Sequence, residues 1–213
     1  MNEHVSWHND LVGERVAEAL RRNDFDAVYC KSAAEAAEEV LRLVPENGTV
    51  GLGGSWTVKE LGVVEKLKAR GNIILDHGAP GLENDERVRI RRAQLTADAF
   101  LTGSNAVTMD GRLVNTDGSG NRVAAMIFGP GKVIVVAGVN KIVRDVEEAE
   151  ERIRKTAAPI NNRRLNLPNP CVKTGECMDC QGPTRICNVT TILHKRPKLT
   201  EMHVILVGEE LGF

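Results

Sequence analysis

Residues 99–138 read AFLTGSNAVTMDGRLVNTDGSGNRVAAMIFGPGKVIVVAG. The two ends of this stretch, AFLTG at 99–103 and VIVVAG at 133–138, are apolar at nearly every position rather than at alternate ones. That is the pattern of parallel strands buried on both faces. Between them AVTMDGRLVNTDG alternates, and its Asp110-Gly111 pair marks the turn of a β-hairpin. Runs of the strand kind recur at 26–30 (DAVYC), 49–53 (TVGLG), 72–76 (NIILD) and 203–208 (HVILVG). Helical periodicity fills 9–22, 32–44, 57–70, 84–96 and 143–157, and the second of these opens on the capping box Ser32-x-x-Glu35. The alternation predicts an α/β fold: a Rossmann-like open, mostly parallel sheet with helices on both faces and a β-hairpin insertion. No linker, repeat or low-complexity tract divides residues 1–213, so a single domain is expected, with 159–196 a cysteine-rich loop before the final strand.

Composition narrows the function. Aromatics make up only 3% of the chain, so a core must be built from Val, Ile, Leu and Ala. A formal net charge of −1 gives no electrostatic footprint for nucleic acid or an anionic membrane. Any charged ligand must be attracted locally. MNEHVSWHND carries neither an apolar h-region nor a cleavage site, and no run is long enough to span a membrane, which predicts a cytoplasmic, reduced protein.

Four of the five cysteines fall in CVKTGECMDCQGPTRIC, as Cys171, Cys177, Cys180 and Cys187, while Cys30 lies far upstream. Thiolates are the soft ligands selected by zinc and by iron–sulfur clusters, and a CxxC pair in a Gly/Pro-rich loop sets two sulfurs on one ion without strain. A metal or cluster is the favoured reading over a redox dithiol at Cys177 and Cys180, or unrelated thiols. The spacing matches neither the paired-CxxC zinc ribbon nor the bacterial ferredoxin run. Lys173 and Arg185 beside the cysteines suit a negatively charged [4Fe–4S] cluster, and a Zn²⁺ clip with four thiolates is the alternative.

Ligands of open α/β sheets bind beyond the carboxyl ends of the strands. There the sequence places Gly53, Gly54, Ser55 and Thr57, with Thr57-x-x-Glu60 able to cap the following helix for anion binding. Gly103, Ser104 and Asn105 follow the next strand, and Asn115, Asp117, Asn121 and Arg122 surround the turns after it. Arg122 offers a planar fork for a carboxylate or phosphate, and Lys141 a point charge. Turn geometry alone accounts for many of these residues. Convergence at one sheet edge is what favours a shared site for a small anionic metabolite. Asp76 and His77 end a further strand, with His77 either an acid–base group or a turn residue. Trp56 reads as a packed side chain or lid, and Arg87, Arg89, Arg91 and Arg92 as a solvated helix face.

The chain resembles the lactate-utilisation (LUD) domain family, in its short type with a C-terminal cysteine motif. The resemblance rests on VGLGGSWT at 50–57, LTGSNAVTMDGRLVNTDGSGNRVAAMIFGPGKVIVVAGVNKIV at 101–143, AAPINNRRLN at 157–166 and the cysteine motif at 171–187. It implies a fold similar to glucosamine-6-phosphate deaminases, ribose-5-phosphate isomerases and CoA transferases. Some relatives belong to an iron–sulfur system that oxidises lactate to pyruvate, which implies an oxidoreductase or electron-transfer subunit with a redox protein partner. The related sugar-phosphate isomerases carry a catalytic Asp where this chain has Asn105, which orients by hydrogen bonds but is no carboxylate base. Nor does a Glu follow a strand in the manner of the CoA-transferase nucleophile. The competing reading is a sugar-phosphate or CoA-ester binding protein or regulator with a structural zinc clip, and a homo-oligomer is compatible with either.

Overall fold

A computed structural model describes residues 2–213. The chain runs α1 (Glu3–Arg22), β1 (Asp26–Cys30), α2 (Ala33–Leu43), β2 (Thr49–Leu52), α3 (Trp56–Glu60), α4 (Val63–Ala69), β3 (Ile73–Leu75), α5 (Asn84–Ala93), β4 (Ala99–Gly103), β5 (Ala106–Thr108), β6 (Leu113–Asp117) and α6 (Asn121–Phe128). It continues through β7 (Lys132–Gly138), β8 (Ile142–Val143), α7 (Val146–Arg152), α8 (Ala158–Arg164), α9 (Cys171–Thr174), β9 (Val189–Leu193) and β10 (Glu201–Val207). Six strands in the order β1-β10-β7-β4-β2-β3 form one sheet in which every neighbouring pair is parallel. Side chains of β7 alternate between two cores: Val133, Val135 and Ala137 pack with Val16 and Leu20 of α1 and Met126 of α6, whereas Ile134 and Val136 pack with Val40 of α2 and Leu67 of α4. Burial on both faces is the reason these strands are apolar throughout. Among the described residues no helix is long and apolar enough to cross a membrane.

The hairpin is more than an insertion. β5 and β6 form the centre of a second, four-stranded sheet in the order β8-β5-β6-β9. Its outer strand β9 comes from the region expected to be a loop, as do the end of α8 and the short α9, so 159–196 is only partly irregular. The β-branched run VTTIL pairs antiparallel with β6 from Val189 opposite Asp117 to Leu193 opposite Leu113, and this registry returns the cysteine segment to the end of β6. At the hairpin turn Gly111 has φ +82°, and a Cβ there would stand 2.5 Å from the Ala19 carbonyl carbon of α1. Gly111→Ala is expected to cost about 2–3 kcal/mol by urea denaturation, from left-handed strain plus backbone overlap. Gly81→Ala, at φ +79° but facing open space, should cost only the strain, and equal losses at the two positions would refute the overlap.

Two helices differ from expectation for identifiable reasons. The span 57–70 is broken into α3 and α4 by Gly62 at φ +65°. The helix expected at 143–157 instead continues to Arg164 through a π-helical segment, Ile153–Ala157. There the Ala158 N–H reaches back to the Ile153 carbonyl, so the Arg154 carbonyl would next take the N–H of residue 159, which is proline and has none. That carbonyl accepts the Cys177 N–H at 3.0 Å and thereby anchors the cysteine segment to the helix.

Candidate functional site

The carboxyl ends of β2, β3, β4 and β6 and the turn after β7 enclose a cavity of about 330 Å³. Gly53, Gly54, Ser55, Gly103, Ser104, Asn105, Asn121, Arg122 and Lys141 all line it, as their positions after strands predict. Thr57 lies one layer behind, fully buried, with its hydroxyl on the Lys141 amine. The α3 N-cap is Ser55 rather than Thr57: the Ser55 Oγ accepts the Val58 N–H at 3.4 Å. The close approach of β4 to this loop requires glycine, since a Cβ on Gly103 would meet Ser55 Oγ at 2.6 Å.

Arg122 occupies a different role from the free fork expected. Its Nε donates to Asp117 Oδ1 at 2.9 Å, Nη1 to Asn115 Oδ1 at 2.6 Å and Gly103 O at 3.2 Å, and Nη2 to Asn105 Oδ1 at 2.9 Å. Side-chain exposure is only 13% for Arg122 and 8% for Asp117, so this is a buried pair with its polar atoms satisfied by surrounding amides. Asn105 is held in the same hub, its Oδ1 also accepting the Thr116 N–H at 2.9 Å and its backbone carbonyl accepting Arg152 Nη1 at 2.7 Å. The hub joins the end of β4 to the end of β6 and fixes the cavity floor.

The cavity's wider charge comes partly from residues that the sequence reading assigned to solvent. Arg87 and Arg91 of α5, spaced i,i+4, both line it, as does Arg164 of α8. With Arg122 and Lys141 they make five basic side chains against one carboxylate, Asp117, among the lining residues. Arg87 Nη1 donates to the His77 carbonyl at 2.8 Å, and Arg164 to Asn161 Oδ1 at 2.9 and 2.7 Å. The Nε of Arg91 is buried without a hydrogen-bond partner in the protein, a costly arrangement in the absence of an acceptor from a ligand or solvent. His77 lines the same wall, its Nδ1 3.1 Å from Gln94 Nε2. The two hydrogens of the Gln94 amide nitrogen go to the Leu52 and Leu75 carbonyls, at 2.9 and 2.7 Å. Burial, and then the neighbouring Arg91, hold the His77 pKa below its ordinary value. Trp56 and Phe213 close one side, their rings 6.4 Å apart with Lys59 Nζ over the indole, which makes Trp56 a packed wall residue.

Lys141 is 4% exposed and donates to Thr57 Oγ1 at 2.6 Å. Burial, reinforced by Arg152 and Arg122 and opposed by Glu60, pushes its pKa down to about 7. The amine is therefore divided between its neutral and charged forms at physiological pH.

The cysteine segment borders this cavity. Ile186 lines it, the Gly118 backbone lies against Ile186, and the Asn188 N–H and side chain donate to the carbonyls of Asp117 and Gly118 at 2.9 and 3.0 Å. Within the segment, Arg185 donates to the Cys187 carbonyl at 3.0 Å, the Cys180 carbonyl at 2.7 Å and Asp179 Oδ1 at 2.9 Å. The Asp179 N–H points at Cys177 Sγ at 3.4 Å. Burial first, and then neighbouring thiols of the set, raise the pKa values of Cys171 and Cys187, with Arg185 opposing the rise at Cys187. Cys30, the last residue of β1, is buried apart from them. Four thiols, a peptide N–H on one sulfur and a guanidinium threaded through the loop suit a thiolate-held centre. Among the described residues, however, no three His, Cys, Asp or Glu side chains are grouped so that they could hold one metal ion.

Comparisons with known proteins agree with this architecture. A solved DUF162-family protein from Deinococcus radiodurans superposes with a TM-score of 0.52 at 17% identity, over 93% of this chain and 97% of that one. No curated protein matches. The LUD domain model matches residues 13–207, from within α1 through the end of β10, and on that span of nearly every element described above the chain belongs to the LUD domain family.

Proposed function

We propose that this LUD-domain protein binds a small anionic metabolite in the cationic cavity, and serves as a redox subunit acting on a small hydroxy acid. In this reading Cys171, Cys177, Cys180 and Cys187 hold an iron–sulfur cluster. The observation that carries it is the shared wall: Ile186, next to Cys187, lines the same cavity as Arg91, Arg164 and Lys141. A cluster held there supplies a one-electron acceptor. The protein's own residues do the rest. Arg87, Arg91 and Arg164 attract the anion, the Arg122 hub keeps the floor rigid, and Trp56 with Phe213 shields one side from water. Arg185 and the Asp179 N–H offset thiolate charge.

Iron and zinc content, with the visible spectrum of protein purified without oxygen, tests the metal half. About four irons per chain with a band bleached by dithionite is the expected result. One zinc and no colour would replace the redox role with a structural clip beside a metabolite-binding site. Cys177→Ser is expected to remove metal stoichiometrically in either case, and undiminished metal content in that variant would reject Cys177 as a ligand.

A further inference from the structure

Resting on the reading of the cavity as a small-anion site, we propose that Lys141 forms a Schiff base with the carbonyl of a short 2-oxo acid bound there. The geometry is that of a nucleophile rather than a structural cation. A lysine buried for packing normally ends on a carboxylate or on several carbonyls, because an unpaired ammonium in a protein interior is costly. Lys141 is 4% exposed, lines the cavity, and ends on a hydroxyl, Thr57 Oγ1, at 2.6 Å. The hydroxyl is itself positioned, donating to the Leu211 carbonyl at 3.3 Å.

The charged groups facing Lys141 favour the free amine. Arg152 of α7 and Arg122 of α6 both oppose the ammonium, and Glu60 of α3 only partly compensates, its Oε2 already accepting the Gly212 N–H at 2.6 Å. With a pKa near 7, the neutral fraction of Lys141 at pH 7 is on the order of a thousand times that of an exposed lysine. Desolvation and adjacent cations are the established means of activating a lysine toward carbonyls.

The other lining residues define the substrate class. The guanidiniums of Arg91 and Arg164 suit a carboxylate, and Arg91 Nε has no protein acceptor. A carboxylate next to an electrophilic carbon within about 330 Å³ describes a 2-oxo acid. A 2-hydroxy acid would fit the same wall but offers no electrophile. In the reaction the Nζ lone pair attacks the keto carbon, forming the C–N bond while the C=O π pair moves to oxygen. That oxygen takes up the proton released from nitrogen. The carbinolamine then loses its hydroxyl and the second nitrogen proton as water, leaving the C=N bond.

The test uses the full chain with pyruvate and borohydride, read by intact mass and peptide mapping, alongside calorimetric titration with pyruvate and with lactate. One reduced pyruvyl adduct per chain, mapped to Lys141 and suppressed by excess lactate, is the expected result. Mapping in the wild type locates the adduct without relying on a variant, and Lys141→Met should lose it while Thr57→Val should slow it. If both anions bind but Lys141 stays unmodified, or label scatters over surface lysines, the Schiff base is refused and the anion site survives. If neither anion binds and no adduct forms, both ideas fall.

Discussion

Arg122→Ala is expected to lower the thermal midpoint by about 10 °C, because removing one member of a buried ion pair costs about 3–5 kcal/mol in a chain of this size. The magnitude follows from what is left behind. Asp117, 8% exposed, keeps the Val123 N–H at 3.0 Å but loses its guanidinium, and the Asn105 and Asn115 side chains each lose a donor at the cavity floor. Most of the penalty belongs to the stranded carboxylate rather than to the ion pair itself. The double variant Asp117→Asn with Arg122→Ala should therefore be more stable than Arg122→Ala alone, which a double-mutant cycle reads directly. Anion affinity should fall at the same time, although few of Arg122's donors face the ligand, because the ends of β4 and β6 lose their common anchor. A midpoint within about 2 °C of wild type, the scatter of exposed substitutions, would show that Arg122 is not the hub.

The framework of the site was legible in the sequence where local chemistry decides structure. The apolar runs before Gly53, Gly103 and Gly138 are buried on both faces, and that burial is encoded residue by residue. Positions just after strands consequently fell where expected: Gly53, Asn105 and Lys141 come together although they are far apart in sequence. What escaped was set by packing between distant elements. Arg87 and Arg91 lie on a helix with no buried residue, and nothing in that helix says which neighbour its arginines approach; their i,i+4 spacing was the available signal. Asn161 and Arg164 were hidden by Pro159, which reads as a helix end but here sits inside a continuous helix at a π-helical turn. β9 has a β-branched run, VTTIL, but its pairing with β6 is a contact between segments about seventy residues apart. The Arg122 guanidinium is engaged by Asp117, Asn115, Asn105 and the Gly103 carbonyl, and a free fork and an engaged one have the same sequence.

The largest pH-dependent effect should come from Lys141. Its pKa of about 7 in the folded chain, against about 10.4 when unfolded, means that the unfolded state binds more protons between those values. Stability conferred by this position is therefore lost as pH falls from about 10.4 to about 7, and the penalty levels off below that, at about 3–5 kcal/mol. Lys141→Met keeps an unbranched side chain of similar length and removes the ionisable amine, at the price of one donor to Thr57 Oγ1. The variant should be more stable than wild type at pH 6–7 by about 2–4 kcal/mol, the difference shrinking steadily and vanishing near pH 10. Urea denaturation at unit pH intervals measures this, and a difference constant with pH would mean that Lys141 titrates normally. Lactate, which offers no carbonyl to the amine, favours the ammonium when bound beside Lys141, so wild type should take up protons on binding lactate at pH 8, detectable as heats that depend on the buffer's ionisation enthalpy, whereas Lys141→Met should not. A residue whose removal stabilises the empty protein yet abolishes proton-linked binding is retained for the ligand, since nothing in the folding energetics favours it.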